Sequence, residues 1–242
     1  MIISHKQKFV MLATWKAASQ TMRKRLKDYN ESPYTRLYDF NPHLNRVVHH
    51  QHITCAEFRS LPEARLGYFV GAFVRNPYDR VYSGFRQLQL DARVMPRLPY
   101  PQPWIRDLVT RQISDNLSQL TEARFEFDAW LGLLREEQIL EVGRNTSFLL
   151  HPAHYWTHVA GERAVDFIGR VEHFEADFSR FLAVFGIELG RQRNANVSDL
   201  HGDAGSNTHG YRYVTRMEPR SRARINDLFR QDFEFLGYEK VV

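Results

Sequence analysis

The sequence predicts an α/β fold: a central, mainly parallel sheet flanked by helices. Three observations predict it. Leu66-Gly-Tyr-Phe-Val-Gly-Ala-Phe-Val74 is an almost unbroken apolar run, the pattern of a strand buried on both faces of a parallel sheet. Two apolar runs, ending at Thr14 and Val74, pass through a short polar turn into a helical pattern. Strands and helices then alternate along the chain, which is the ordering of α/β folds.

The elements follow in order. Lys8 to Thr14 reads as a strand and Gln20 to Leu26 as a helix. Glu31 to Asn45, with two prolines, reads as loop with a short strand. Val47 to Ile53 is a strand candidate, and Ala56 to Leu61 a short helix ended by Pro62. The strand at Leu66 to Val74 runs into Arg75-Asn76-Pro77-Tyr78-Asp79-Arg80. There Asn76 suits a helix cap, Pro77 the first turn, and Asp79 a capping-box pattern. The helix continues through Ser83 and Phe85. Met95 to Trp104 carries four prolines and reads as an exposed loop. Trp104 to Leu120 and Phe127 to Leu140 read as helices. Phe167 to Val171 is a third strand. Phe174, Phe178, Phe181, Leu182 and Phe185 form the apolar stripe of an amphipathic helix. Asn194 to Gly210 reads as loop, and Pro219 to Phe235 as a last helix stopped near Gly237.

Composition narrows the class. At 242 residues, 43% hydrophobic and 25% charged, the chain can build an ordinary core, here expected to be one domain over 1–242. A single cysteine excludes an intrachain disulfide and a multi-cysteine metal site. No apolar run approaches the roughly 20 residues of a membrane span. Met1 to Lys8 is too polar and short for a signal peptide, so a cytoplasmic protein is expected. Asn30, Asn116, Asn145 and Asn196 head glycosylation-like triplets that carry no weight without a secretory signal. The net charge of +5 favours anionic partners. Most of it is arginine, whose planar fork suits phosphate and sulfate. No lysine-rich tail or block of like charges marks a nucleic-acid binder. The sequence contains no G-x-x-x-x-G-K-[ST], G-x-G-x-x-G, H-E-x-x-H or G-x-S-x-G, which counts against standard P-loop, Rossmann, zincin and α/β-hydrolase chemistry.

Both strand-to-helix junctions are built for anions. Lys16-Ala-Ala-Ser-Gln-Thr21 sets one full positive charge, small side chains and hydroxyl donors between strand and helix, where backbone N–H groups approach a phosphate. In the second junction Arg75 ends a strand and Ser83 lies on the next helix. Both types hydrogen-bond a phosphate. In open parallel sheets the carboxyl ends of the strands are where ligands sit.

Lys16 to Thr21 resembles the 5′-phosphosulfate loop of PAPS-dependent sulfotransferases, and Phe73-Val-Arg-Asn-Pro-Tyr-Asp-Arg-Val-Tyr-Ser83 resembles their 3′-phosphate motif. Asp166 to Glu172 with Phe174 to Phe178, and Asp232 to Tyr238, resemble later segments of the carbohydrate branch (family 2 type, bacterial-type). The loop departs from the commoner Lys-Thr-Gly/Ala-Gly-Thr-Ser form at Ala17 and Gln20. The resemblance implies a P-loop-like sulfotransferase fold and transfer of a sulfuryl group from 3′-phosphoadenosine 5′-phosphosulfate (PAPS) to a hydroxyl, leaving the bisphosphate PAP, without a metal. The acceptor it implies is a carbohydrate or glycolipid. Lys16, Ala17, Ala18, Ser19, Gln20 and Thr21 are then expected at the 5′ side, with Arg75 and Ser83 at the 3′-phosphate. His209-Gly-Tyr-Arg-Tyr213 resembles the closing segment of the site, which adds Arg212.

An acceptor hydroxyl gains from a positioned proton acceptor, and histidine has the fitting intrinsic pKa. Val48-His49-His50-Gln51-His52-Ile53-Thr54 supplies candidates. If the segment is extended, His50 and His52 share a face and His49 takes the other. His50-Gln51-His52 resembles the catalytic pair of uronyl 2-O-sulfotransferases, which points to His52 as base and His50 second. A zinc site and a surface cluster are the alternatives. His151, His154 and His158 are read as acceptor-pocket or structural residues. Two other functions compete with transfer: a nucleotide kinase with a degenerate phosphate loop, and a non-enzymatic binder of polyanions.

Overall fold

The computed structural model describes residues 1–36, 38–94, 97, 99–140, 150–188 and 211–242. In chain order the strands are β1 Ile2–Ser4, β2 Phe9–Leu12, β3 Asp39–Asn41, β4 Arg46–Val48, β5 Phe69–Val74, β6 His158–Val159, β7 Glu162–Arg163 and β8 Phe167–Arg170. The helices are α1 Ser19–Arg25, α2 Cys55–Arg59, α3 Pro77–Val94, α4 Pro103–Glu122, α5 Phe127–Leu133, α6 Glu136–Leu140, α7 Phe174–Ala183, α8 Pro219–Leu228 and α9 Arg230–Leu236. The chain divides into two compact units, Met1–Arg75 with Ala153–His201, and Asn76–Pro152 with Gly202–Val242.

The first unit holds the sheet, in the order β1-β2-β5-β8. β2, β5 and β8 run parallel, and β1 is antiparallel to β2. Successive strand side chains point to opposite faces, and both faces are covered. Ile3, Val10, Leu12 and Ala72 pack with Cys55, Phe58, Leu61 and Trp156. Ile2, Phe9, Met11 and Phe73 pack with Met22, Leu26, Phe178 and Phe181. Burying a Phe of this kind stabilises by about 2 kcal/mol. The helical stripe read from Phe174 to Phe185 is therefore the face that α7 lays on the sheet. Gly169 is forced by the same packing. It pairs with Phe73, and a Cβ on it would meet the Phe73 ring at 2.5 Å. Asp177 holds the entry to α7, accepting the Arg170 N–H at 2.7 Å and an Arg180 guanidinium at 2.6 Å.

The second unit is helical among its described residues. Tyr82, Phe85, Phe127 and Trp130 form an aromatic cluster, with the Tyr82–Phe127 and Phe85–Trp130 centroids 5.0 and 5.1 Å apart. Arg80 and Asp232 form an ion pair at 3.2 Å that is 1% and 0% exposed. Arg80 also donates to the His151 carbonyl at 2.8 Å and lies 5.2 Å from the centre of the Phe229 ring. A buried charge pair survives only with such additional partners.

Several expectations change. The Val47 to Ile53 strand stops at Val48, and His50–His52 is a single 3₁₀ turn. Alternation of histidine faces therefore does not apply. The Phe127 to Leu140 helix is broken where Leu134, 2% exposed, turns extended at φ −68°, ψ 131° to stay in the core. Gln138 then caps α6 by accepting the Arg135 N–H at 3.0 Å. The last helix is broken at Phe229 (φ −112°, ψ 26°), whose ring lies under Arg80. Ile2–Ser4, read as a polar terminus, is a strand at one edge of the sheet. Asn194 to Gly210 lies outside the described residues.

Candidate active site

β2 and β5 are parallel and in register from Phe9↔Phe69 to Leu12↔Ala72, so the residues that follow them emerge at one edge of the sheet. Ala13 to Ala18 follow β2, and Arg75 follows β5. Lys16 and Arg75, both half-buried, therefore share the carboxyl edge.

The loop that carries Lys16 is tight. Ala17 donates its N–H to the Thr14 carbonyl at 3.3 Å. Lys16 and Ala18 are left-handed, at φ 59° and φ 60°, a region that costs a residue with a Cβ about 1–2 kcal/mol. Strain of this size persists only where the surroundings impose it. Here the turn must bring the chain from a buried strand into α1 within six residues. Ala17 is fully buried, Ser19 half-buried, Gln20 exposed, and Thr21 buried on the inner side of α1. Thr14 Oγ1 is buried and has no hydrogen-bond partner among the described residues. Residues 13–21 contain no acidic side chain. Small residues, one amine, several hydroxyls and an orphaned buried hydroxyl are a donor set that fits an anionic phosphosulfate.

The three neighbouring histidines are not equivalent. His52 Nδ1 lies 2.6 Å from the Ala13 carbonyl oxygen. A carbonyl only accepts, so Nδ1 carries the proton and Nε2 carries the lone pair. Burial pushes the His52 pKa down to about 3, with the nearby charges of Arg23 and Lys16 lowering it further and the Ala13 bond opposing them. The ring is therefore uncharged at neutral pH. Its carbonyl anchor, Ala13, is three residues before Lys16, so His52 stands at the root of the loop that carries Lys16.

His50 is fixed differently. Asn41 Oδ1 accepts the His43 and Leu44 N–H groups at 3.0 and 3.1 Å. That leaves Asn41 Nδ2 to donate to His50 Nε2 at 3.0 Å. The His50 lone pair is thus already engaged, and its protonated Nδ1 has no hydrogen-bond partner among the described residues. The ring is 4% exposed and stacks on Tyr34 at 4.6 Å. Burial pushes its pKa down to about 4, against the pull of Asp39 and Glu63. His49 contacts Tyr38 edge-on and the His52 ring at 4.8 Å. Burial likewise holds it well below the usual histidine range.

Ser83 and Arg212 belong to the second unit. Asn76 caps α3 by accepting the Asp79 N–H at 2.8 Å, as its sequence pattern predicts. Asp79 also reaches a distant segment: its two oxygens accept the N–H groups of Arg212 and Tyr213 at 3.0 and 2.8 Å. Ser83 lies one turn further along α3, half-buried. Of the later histidines, His151 is buried and donates Nδ1–H to the Ile139 carbonyl at 2.5 Å, a structural bond. His154 is buried, and His158 Nδ1 lies 2.8 Å from the Thr157 hydroxyl. Sequence reading overlooked Ala13 and Asn41, and the bonds of Asp79 to the Arg212 and Tyr213 N–H groups. A buried Asn or Asp beside a motif was the only available signal, because their partners are distant in sequence or on the backbone.

The sulfotransferase family model matches residues 1–239. The chain belongs to the sulfotransferase family. The match spans both units, and the mixed α/β architecture with its parallel-rich sheet is that of the family's fold. Searches of the curated proteins and of the solved structures returned no match. Among the described residues of this sulfotransferase no helix is long and apolar enough to cross a membrane.

Proposed function

We propose that this sulfotransferase moves a sulfuryl group from PAPS to a hydroxyl of a carbohydrate or glycoconjugate, with His52 as proton acceptor. The observation that carries the reading is the Ala13–His52 bond. It sets an uncharged imidazole, with its lone pair on Nε2, beside the loop that holds Lys16. PAPS, when bound, supplies the activated sulfuryl group. Lys16, Ala17, Ala18, Ser19, Gln20 and Thr21 hold the 5′ side, and the buried Thr14 hydroxyl supports that fit. Arg75 and Ser83, the ends of the 3′-phosphate motif, bind the 3′-phosphate with Arg212. His52 takes the acceptor proton while the hydroxyl attacks sulfur in line. Lys16 stabilises the charge growing on the leaving phosphate oxygen, a type of stabilisation worth about 3–4 kcal/mol per donor. His50 is supporting structure rather than a second base, since Asn41 occupies its lone pair.

A cytoplasmic setting fits the single, buried, free Cys55. The acceptor class draws on the carbohydrate-branch resemblance alone, and the chain's exposed Trp104 is a candidate sugar-stacking surface. The test is transfer of label from sulfur-labelled PAPS to a panel of glycan acceptors by wild type and His52→Ala. Loss of at least about a hundredfold in kcat is expected, and near-normal turnover by the variant refutes the role of His52.

A further inference from the structure

Tyr211-Arg212-Tyr213 is laid along the first two turns of α3. The Tyr211 ring stands 5.7 Å from Tyr78, and the Tyr213 ring stacks on Tyr82 at 4.7 Å and 26°. Between these contacts Asp79 accepts both consecutive N–H groups, of Arg212 and Tyr213. The Tyr211 hydroxyl donates to the Glu239 carbonyl at 3.3 Å and accepts the Glu239 N–H at 3.1 Å. The segment is thus held on both sides.

Asp79 is 4% exposed. A carboxylate so far removed from water needs strong partners, and two of these partners are backbone N–H groups 133 and 134 residues away. Holding two successive N–H groups fixes the orientation of the peptide between them as well as its place. Asp79 and Ser83 are four residues apart on α3 and so share a helix face. The carboxylate therefore pins the Arg212 backbone about one helical turn from Ser83. Aromatic packing alone would locate the segment without setting which way Arg212 leaves it.

We propose that Asp79 is a positioning residue for donor recognition: its grip on the Arg212 and Tyr213 N–H groups presents Arg212, with Ser83, to the 3′-phosphate. The inference rests on the donor reading above. The experiment titrates wild type, Asp79→Asn, Asp79→Ala, Arg212→Ala and the Asp79→Ala/Arg212→Ala double variant with PAP and with AMP, which lacks the 3′-phosphate. Wild type is expected to prefer PAP. Asp79→Ala should lose about tenfold in PAP affinity with AMP affinity unchanged within about twofold. Asp79→Asn, keeping one acceptor oxygen, should fall between. The double variant should bind PAP no worse than Arg212→Ala, because coupled residues are not additive. An unchanged PAP-to-AMP ratio in the Asp79 variants, equal weakening of both nucleotides, or additive losses overturns the proposal. If the Ala variant does not fold, the Asn variant decides on the same ratio. A wild type that does not distinguish PAP from AMP overturns the donor reading and this inference with it.

Discussion

Acid should unfold this protein partly through His50, and the size of the effect follows from the structure. The folded ring is buried against Tyr34 and bonded through Nε2 to Asn41, and its pKa is pushed down from 6.5 to about 4. In the unfolded chain it is an ordinary histidine. A group whose pKa is depressed by folding contributes stability that is intact above its unfolded pKa and is lost as pH falls toward its folded one. For His50 that window runs from about pH 6.5 to about pH 4. Between pH 6.5 and 5.0 the unfolded ring takes up a proton that the folded ring refuses, worth about 1.4 kcal/mol per pH unit. The loss over that interval is about 2 kcal/mol. The assay is urea unfolding at pH 7.5 and pH 5.0 for wild type and His50→Gln, whose amide oxygen can keep the Asn41 bond. His49 and His52 have the same sign and remain in both proteins, so the difference of differences isolates His50. Wild type should lose about 2 kcal/mol more than the variant between the two pH values. Parallel pH dependence in the two proteins refutes the reasoning.

Three further outcomes are expected. Gly169→Ala should cost about 1–3 kcal/mol, because its Cβ collides with the buried Phe73 ring; a chemical-denaturation midpoint equal to wild type would contradict this. Ala18→Gly should raise stability by up to about 1 kcal/mol by relieving a left-handed residue with a Cβ, read as a rise in Tm, and a fall in Tm would show that the loop is not strained there. Asp232→Asn should cost about 3–5 kcal/mol by stranding the buried Arg80 charge, and unfolding free energies within experimental error of wild type would remove the pair's structural role.

The parallel part of the sheet was legible because Phe9–Leu12, Phe69–Val74 and Phe167–Arg170 lie in short apolar runs, whereas the antiparallel Ile2–Ser4 was missed in a polar terminus. α7 was legible for a related reason, its phenylalanines repeating at helical spacing. The histidine turn was not. His49 to His52 has no periodicity, and its conformation is set by Asn41 and the Ala13 carbonyl, which act across the fold. The breaks at Leu134 and Phe229 were hidden because each keeps a large apolar side chain in the core, continuing the helical pattern across a bend. Of the candidate site, Lys16 and Arg75 were placed correctly at the sheet edge by the strand–turn–helix pattern. The second task of Asp79 was invisible, since an acidic residue three positions after Asn76 reads as a helix cap and its partners are backbone groups far along the chain.

The most direct test of the account is calorimetric titration of the protein with PAP beside AMP and ATP. The account predicts tight, selective binding of PAP, lost on Arg75→Ala. Equal binding of the three nucleotides, or none, would contradict the donor assignment on which the proposed reaction depends.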